Sequence, residues 1–224
     1  MCKQKDHSYC TELGTEPDIW SRLSPLTKPD FVERGFQELR SLITFTTKAD
    51  LNSAENALLP KSDNDLRIWF DVHAQNVGTW RYKEFKVAFP SPTLPLDPIK
   101  DFSKFRRTVF IRDGFRCRYC ESPVVPSEVF RKLNKFVGDD HLTLTTTNST
   151  SGHYLMFCST LDHVFPHSLG GRTDENNLVT CCWSCNYGKS NYTLEQIGLD
   201  NPLHREPKID QEWIALVESI WQSH

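Results

Sequence analysis

Two Cys-x-x-Cys pairs constrain this chain more than any other feature. Cys117-Arg118-Tyr119-Cys120 and Cys182-Trp183-Ser184-Cys185 supply four thiolates. Two sulfurs at that spacing can meet one ion from a single turn. Four thiolates suit tetrahedral zinc and leave no position open for catalysis. The competing reading leaves one or both pairs as buried free cysteines. Of the eight cysteines, Cys181 reads as a strand residue packed in the small core, while Cys2, Cys10 and Cys158 have no partner spacing. The N-terminus opens no hydrophobic signal region. A cytoplasmic setting is therefore expected, and a disulfide scaffold is not.

With 224 residues the chain is expected to hold one domain or two. Hydrophobic residues at 38% and charged residues at 25% exclude a fully disordered chain. No apolar run approaches the roughly 18 residues of a membrane span, so no membrane partner is expected. The net charge of −3 is a whole-chain average and decides little. Between residues 100 and 118 lie Lys100, Lys104, Arg106, Arg107, Arg112, Arg116 and Arg118 against only Asp101 and Asp113. Such a local basic segment is what a phosphate-binding face requires.

The proline-rich stretch from Pro90 to Pro98 cannot continue a helix or a central strand. It predicts a linker over 90–99 between an N-terminal module, 1–89, and a domain over 100–200, followed by a C-terminal helix within 201–224. In the first module, Val32, Phe36, Leu39 and Ile43 behind Pro29 predict one helix, and Leu66, Trp69, Phe70 and His73 behind Ser62 predict another. Val77–Lys83 reads as a turn followed by a short extended stretch. After the linker, Phe105, Val109 and Phe110 mark a basic helix ending at Gly114. Val129, Leu133 and Phe136 mark a helix behind Ser127. Residues 139–153 read as a loop. Tyr154–Val164 and Leu178–Thr180 read as strands, and a helix begins near Cys185. Thr193 and Gln196 suggest a capping box, and Trp213, Ile214, Val217, Ile220 and Trp221 line a C-terminal amphipathic helix.

Between the knuckles run Asp162-His163-Val164-Phe165-Pro166-His167-Ser168-Leu169-Gly170-Gly171, then Asn177-Leu178-Val179, then Cys185-Asn186-Tyr187-Gly188-Lys189. This ordered pattern resembles the HNH endonuclease family over residues 104–199. The resemblance implies a C-terminal ββα-metal, treble-clef-like nuclease domain built on a structural zinc, which with the mainly helical N-terminal module read from spacing makes an α+β chain. It also implies an insertion around 121–157, since family members commonly place the Asp-His pair nearer the first knuckle.

The residues fit phosphodiester hydrolysis on their own terms. A neutral imidazole can take a proton from water near neutral pH, which makes His163 the expected general base. Asp162 and Asn186 offer hard oxygens suited to Mg²⁺ or Mn²⁺, and the resemblance gives them that ligand role. It gives Asn177 the task of fixing the loop and orienting the base. His167, Lys189, Arg106, Arg107 and Arg116 are candidate phosphate contacts, each also readable as a solvated surface group. The expected substrate is double-stranded DNA. One HNH unit makes one cut at a time, so double-strand cleavage calls for a homodimer or two encounters. Restriction, phage defence and mobile-element roles are compatible with such an activity. The rival reading is a zinc-stabilised nucleic-acid-binding module without catalysis, which would need none of Asp162, His163 or Asn186.

Overall fold

A computed structural model describes residues 25–26, 28–57, 62–71, 102–138, 142, 151–197 and 199–222. The proline-rich stretch, Val77–Lys83 and His73 lie outside the described residues, as does most of the loop expected over 139–153.

The first helix, α1 (Asp30–Thr47), follows Pro29 and carries Asp30 and Glu33 in its first turn, where carboxylates complement the helix dipole. Its buried stripe of Val32, Phe36, Leu39 and Ile43 recurs at helical spacing and faces the core. Two short helices follow, α2 (Leu51–Ala57) and α3 (Asp63–Trp69). The basic helix is α4 (Ser103–Arg112), closed by Asp113 and by Gly114 in the left-handed region. Next come α5 (Ser127–Val137), capped by left-handed Gly138, and α6 (Gly152–Phe157).

Two strands, β1 (Ser159–His163) and β2 (Leu178–Cys182), pair antiparallel, with Leu161 opposite Thr180 and His163 opposite Leu178. Helix α7 (Trp183–Lys189) leaves β2 directly, giving the ββα arrangement. A short α8 (Leu194–Ile197) and α9 (Gln211–Trp221) complete the chain. The fold is thus a mixture of helices around a small two-stranded sheet, as expected from the sequence.

Tyr154–Val164 is not one extended stretch. Its first part is helical, and the strand starts only at Ser159. All six residues of α6 are buried, so its apolar run has no period to distinguish helix from buried strand. Ser151 accepts from Tyr154 N at the helix start. A side chain at Gly152 would sit 2.1 Å from Asp63 O, so only glycine lets α6 lie against α3.

One hydrophobic cluster runs from Val32 and Phe36 of α1, through Phe110, Phe115 and Tyr119, to Trp213 and Val217 of α9. Phe36 meets Trp213 edge to face at 5.0 Å, and Trp213 Nε1 donates to Phe115 O. The helices before the proline-rich stretch therefore pack on the same core as the sheet. His153 seals this junction from α6. Its ring nitrogens lie 2.9 Å from Asp63 Oδ1 of α3 and 2.9 Å from Glu38 Oε2 of α1.

Candidate active site

The four cysteine sulfurs converge as their spacing requires. Cys117, Cys120, Cys182 and Cys185 are all buried, with their sulfurs within 4.8 Å of one another. Cys120 Sγ and Cys182 Sγ are 3.9 Å apart. Four sulfurs at tetrahedral corners about 2.3 Å from a zinc ion would stand ~3.8 Å from each other, so a cluster of this size can hold zinc. Cys182 Sγ also accepts from Cys185 N, the turn geometry that begins α7. Burial pushes the Cys117 thiol up, but hydrogen bonding with the neighbouring thiols outweighs it and holds the group well below the usual range. Burial holds Cys182 and Cys185 well above it. A crowded sulfur cluster favours shedding protons to a cation. Cys181 is buried in β2, as its strand reading required.

The first knuckle is stitched to the sheet by Arg118 N donating to Thr180 O at 2.8 Å. That bond places Tyr119 beneath β1, where its hydroxyl donates to Asp162 Oδ2 at 2.6 Å. Lys189, fully buried at the end of α7, reaches the same oxygen at 3.2 Å and donates to His163 O at 2.8 Å. Lys189 was expected at a phosphate. Instead its ammonium supports the Asp162-His163 dipeptide from below, with no exposed surface to offer a substrate. Burial raises the Asp162 carboxyl above its ordinary value, against the opposing pull of Lys189 and Tyr119. Burial and the Asp162 charge keep the Tyr119 phenol protonated and so a donor.

Strand β1 runs through Asp162 and His163 in continuous register, so alternation turns Asp162 inward and His163 outward. The His163 ring packs edge-on to Phe102 and lies 5.5 Å from the His167 ring. Its Nε2 is 3.0 Å from the Thr173 hydroxyl. Burial, aided by the positive charges of His167 and Lys189, pushes His163 down to about 4. The imidazole is neutral across the neutral pH range, as proton abstraction demands.

Asn177 closes the loop between the strands. Its Oδ1 accepts from Phe165 N, and its Nδ2 donates to Phe165 O and Arg172 O. Gly171 completes the turn. A Cβ there would lie 2.0 Å from Phe165 O. Asn186 stands half-buried on α7 beside Trp183 and Tyr187, whose rings stack at 5.6 Å. Its side-chain amide has no hydrogen-bond partner among the described residues.

The arginines of the basic segment are mostly occupied within the fold. Arg106 makes a two-pronged pair with Glu128, Arg107 pairs with Glu218, and Arg116 lies 3.7 Å from Asp210. Arg112 and Arg118 turn to Asp113 and to backbone carbonyls. The segment ties α4 and the first knuckle to β2, α5 and α9. The sequence motif did not mark Thr173 or Tyr119. Tyr119 had a readable signal, since it lies inside a ligand pair, whereas Thr173 had none beyond its place after Gly170-Gly171.

Residues 157–200 match the family model described as HNH endonuclease. This segment is similar to the HNH endonuclease family. The match begins at Phe157, before β1, and ends after α8. It therefore contains Asp162, His163, Asn177, Asn186 and the second knuckle, and the fold brings the first knuckle to it from outside. No curated protein and no solved structure matches the chain. The matched family points to nuclease activity in general. Among the described residues no helix is long and apolar enough to cross a membrane.

Proposed function

We propose that this protein is a divalent-metal-dependent HNH endonuclease that hydrolyses phosphodiester bonds of double-stranded DNA, with His163 as general base. The observation that carries the reading is a neutral, half-buried imidazole held by Thr173, one residue after a buried carboxylate that faces the other side of the strand, in the order the family motif requires. With Nε2 carrying the proton and donating to Thr173, the Nδ1 lone pair of His163 is available to a water. Asp162 and the side-chain amide of Asn186 provide the hard oxygens for Mg²⁺ or Mn²⁺. Such an ion, when bound, supplies positive charge to the scissile phosphate and the leaving oxygen. The rest is done by the chain. Lys189 fixes the His163 backbone, Asn177 fixes the loop, Thr173 fixes the ring, and His167 stands within reach of a phosphate next to the base. The four-cysteine site is structural and takes Zn²⁺. Cutting both strands takes two copies or two encounters.

Purified protein incubated with supercoiled plasmid and Mg²⁺, Mn²⁺ or EDTA tests this. Metal-dependent nicking should appear, should fall by about 10²–10⁴-fold in His163→Ala, and should leave zinc content and DNA affinity intact. A protein that binds DNA but never cuts it, or a His163→Ala variant that nicks undiminished, refutes the reading. The first outcome would favour the non-catalytic binding module.

A further inference from the structure

The catalytic carboxylate hangs from the zinc knuckles. Among the described residues, both groups that touch Asp162 Oδ2 come from the knuckle segments: Tyr119 between Cys117 and Cys120, and Lys189 on the helix that Cys182 and Cys185 begin. Tyr119 has no freedom to do otherwise. Its side chain is fully buried, and its backbone is held on both sides, Leu26 N donating to Tyr119 O and Arg118 N to Thr180 O. Thr180 in turn pairs with Leu161, the residue before Asp162. A phenylalanine would fill the same core space. The hydroxyl adds its bond to Asp162, and a buried hydroxyl without a partner would be a cost.

We propose that Tyr119 is a positioning residue that sets the Asp162 carboxylate for the divalent ion and couples the zinc site to it. This rests on the reading of Asp162 as a ligand. A ligand carboxylate anchored by an outer hydrogen bond holds its ion more tightly, commonly by 10–100-fold. Tyr119→Phe therefore keeps the zinc and the fold but binds the second ion more weakly. Coupling between binding sites is reciprocal, so filling the Asp162 site also tightens the zinc site.

The test uses the full, zinc-loaded chain. Mn²⁺ binding is followed by electron paramagnetic resonance for the unmodified protein, Tyr119→Phe and Asp162→Asn, with zinc stoichiometry and melting temperature alongside. Tyr119→Phe should retain zinc, bind Mn²⁺ about tenfold more weakly, and need correspondingly more Mg²⁺ for half-maximal cleavage, while kcat at saturating Mg²⁺ recovers. A merely structural tyrosine would not produce that split. Mn²⁺ affinity unchanged in Tyr119→Phe overturns the proposal alone. An unmodified protein that binds Mn²⁺ no better than Asp162→Asn overturns the ligand reading with it. Should Tyr119→Phe lose its zinc, chelator competition on the unmodified protein decides. Zinc affinity that rises with Mg²⁺ supports the coupling, and an unchanged affinity overturns it.

Discussion

Asp63→Ala should loosen the joint between the N-terminal helices and the segment that leads into β1. Asp63 Oδ1 accepts from Ser151 Oγ at 2.7 Å and from His153 N at 3.1 Å, and lies 2.9 Å from His153 Nδ1. His153 is 7% exposed and Asp63 23%. Removing one partner of a buried pair costs about 3–5 kcal/mol, and the partial exposure of Asp63 places this case near 3 kcal/mol. For a chain of this length that corresponds to a melting temperature lower by roughly 6–12 °C. The penalty depends on pH. Burial pushes His153 down, but its bonds to Asp63 and Glu38 outweigh burial and raise it above its ordinary 6.5. That contribution is complete below pH 6.5 and fades as pH rises through the higher folded value. Asp63 and Glu38 are lowered by the same bonds, so their contribution is present at neutral pH and fades in acid. The gap between the unmodified protein and Asp63→Ala, read by urea unfolding at 25 °C, should be widest near pH 5–6 and narrower at pH 9. A loss under about 1 kcal/mol, or a gap equally wide at pH 9, would refute the idea of a charged clamp.

Three other outcomes follow from the same geometry. Cys182→Ser should lose zinc by metal analysis and much of its soluble yield, because binding at the cluster and folding are coupled; a folded, zinc-free variant would count against a four-cysteine site. With His163 pushed down to about 4, the base is neutral above that value, so cleavage rate at saturating Mg²⁺ should stay nearly level from pH 7 to 5; a half-fall near 6.5 would mean another group is the base. Gly171→Ala forces the turn away from Phe165 O and should cut cleavage tenfold or more while zinc content holds. Wild-type rates in that variant would show that the loop is not rate-determining.

What the sequence displayed and what it hid divide along chain distance. The convergence of the four cysteines was legible because each pair closes within one turn. Asn177 was given its loop-fixing task by the family resemblance, and its partners, Phe165 and Arg172, lie within twelve residues. The arginines of α4 were another matter. Glu128 is 22 residues from Arg106, and Glu218 is 111 from Arg107. No local pattern announces such pairings, and an unpaired basic helix reads as a phosphate face.

Lys189 is the instructive intermediate case. Cys182, Cys185 and Lys189 are spaced three and four residues apart, so one helical face carries all three. A helix that turns two ligands inward to a metal must turn that lysine inward too, toward β1 rather than toward solvent. An ammonium there needs a buried carboxylate, and Asp162 is the one it meets. The pairing also benefits the carboxylate. Burial alone would push Asp162 toward its neutral form, useless to a cation. Lys189 and Tyr119 oppose that push, although burial remains the larger effect. The residue that looked like a substrate contact is the buried cation that meets the Asp162 carboxylate at that depth.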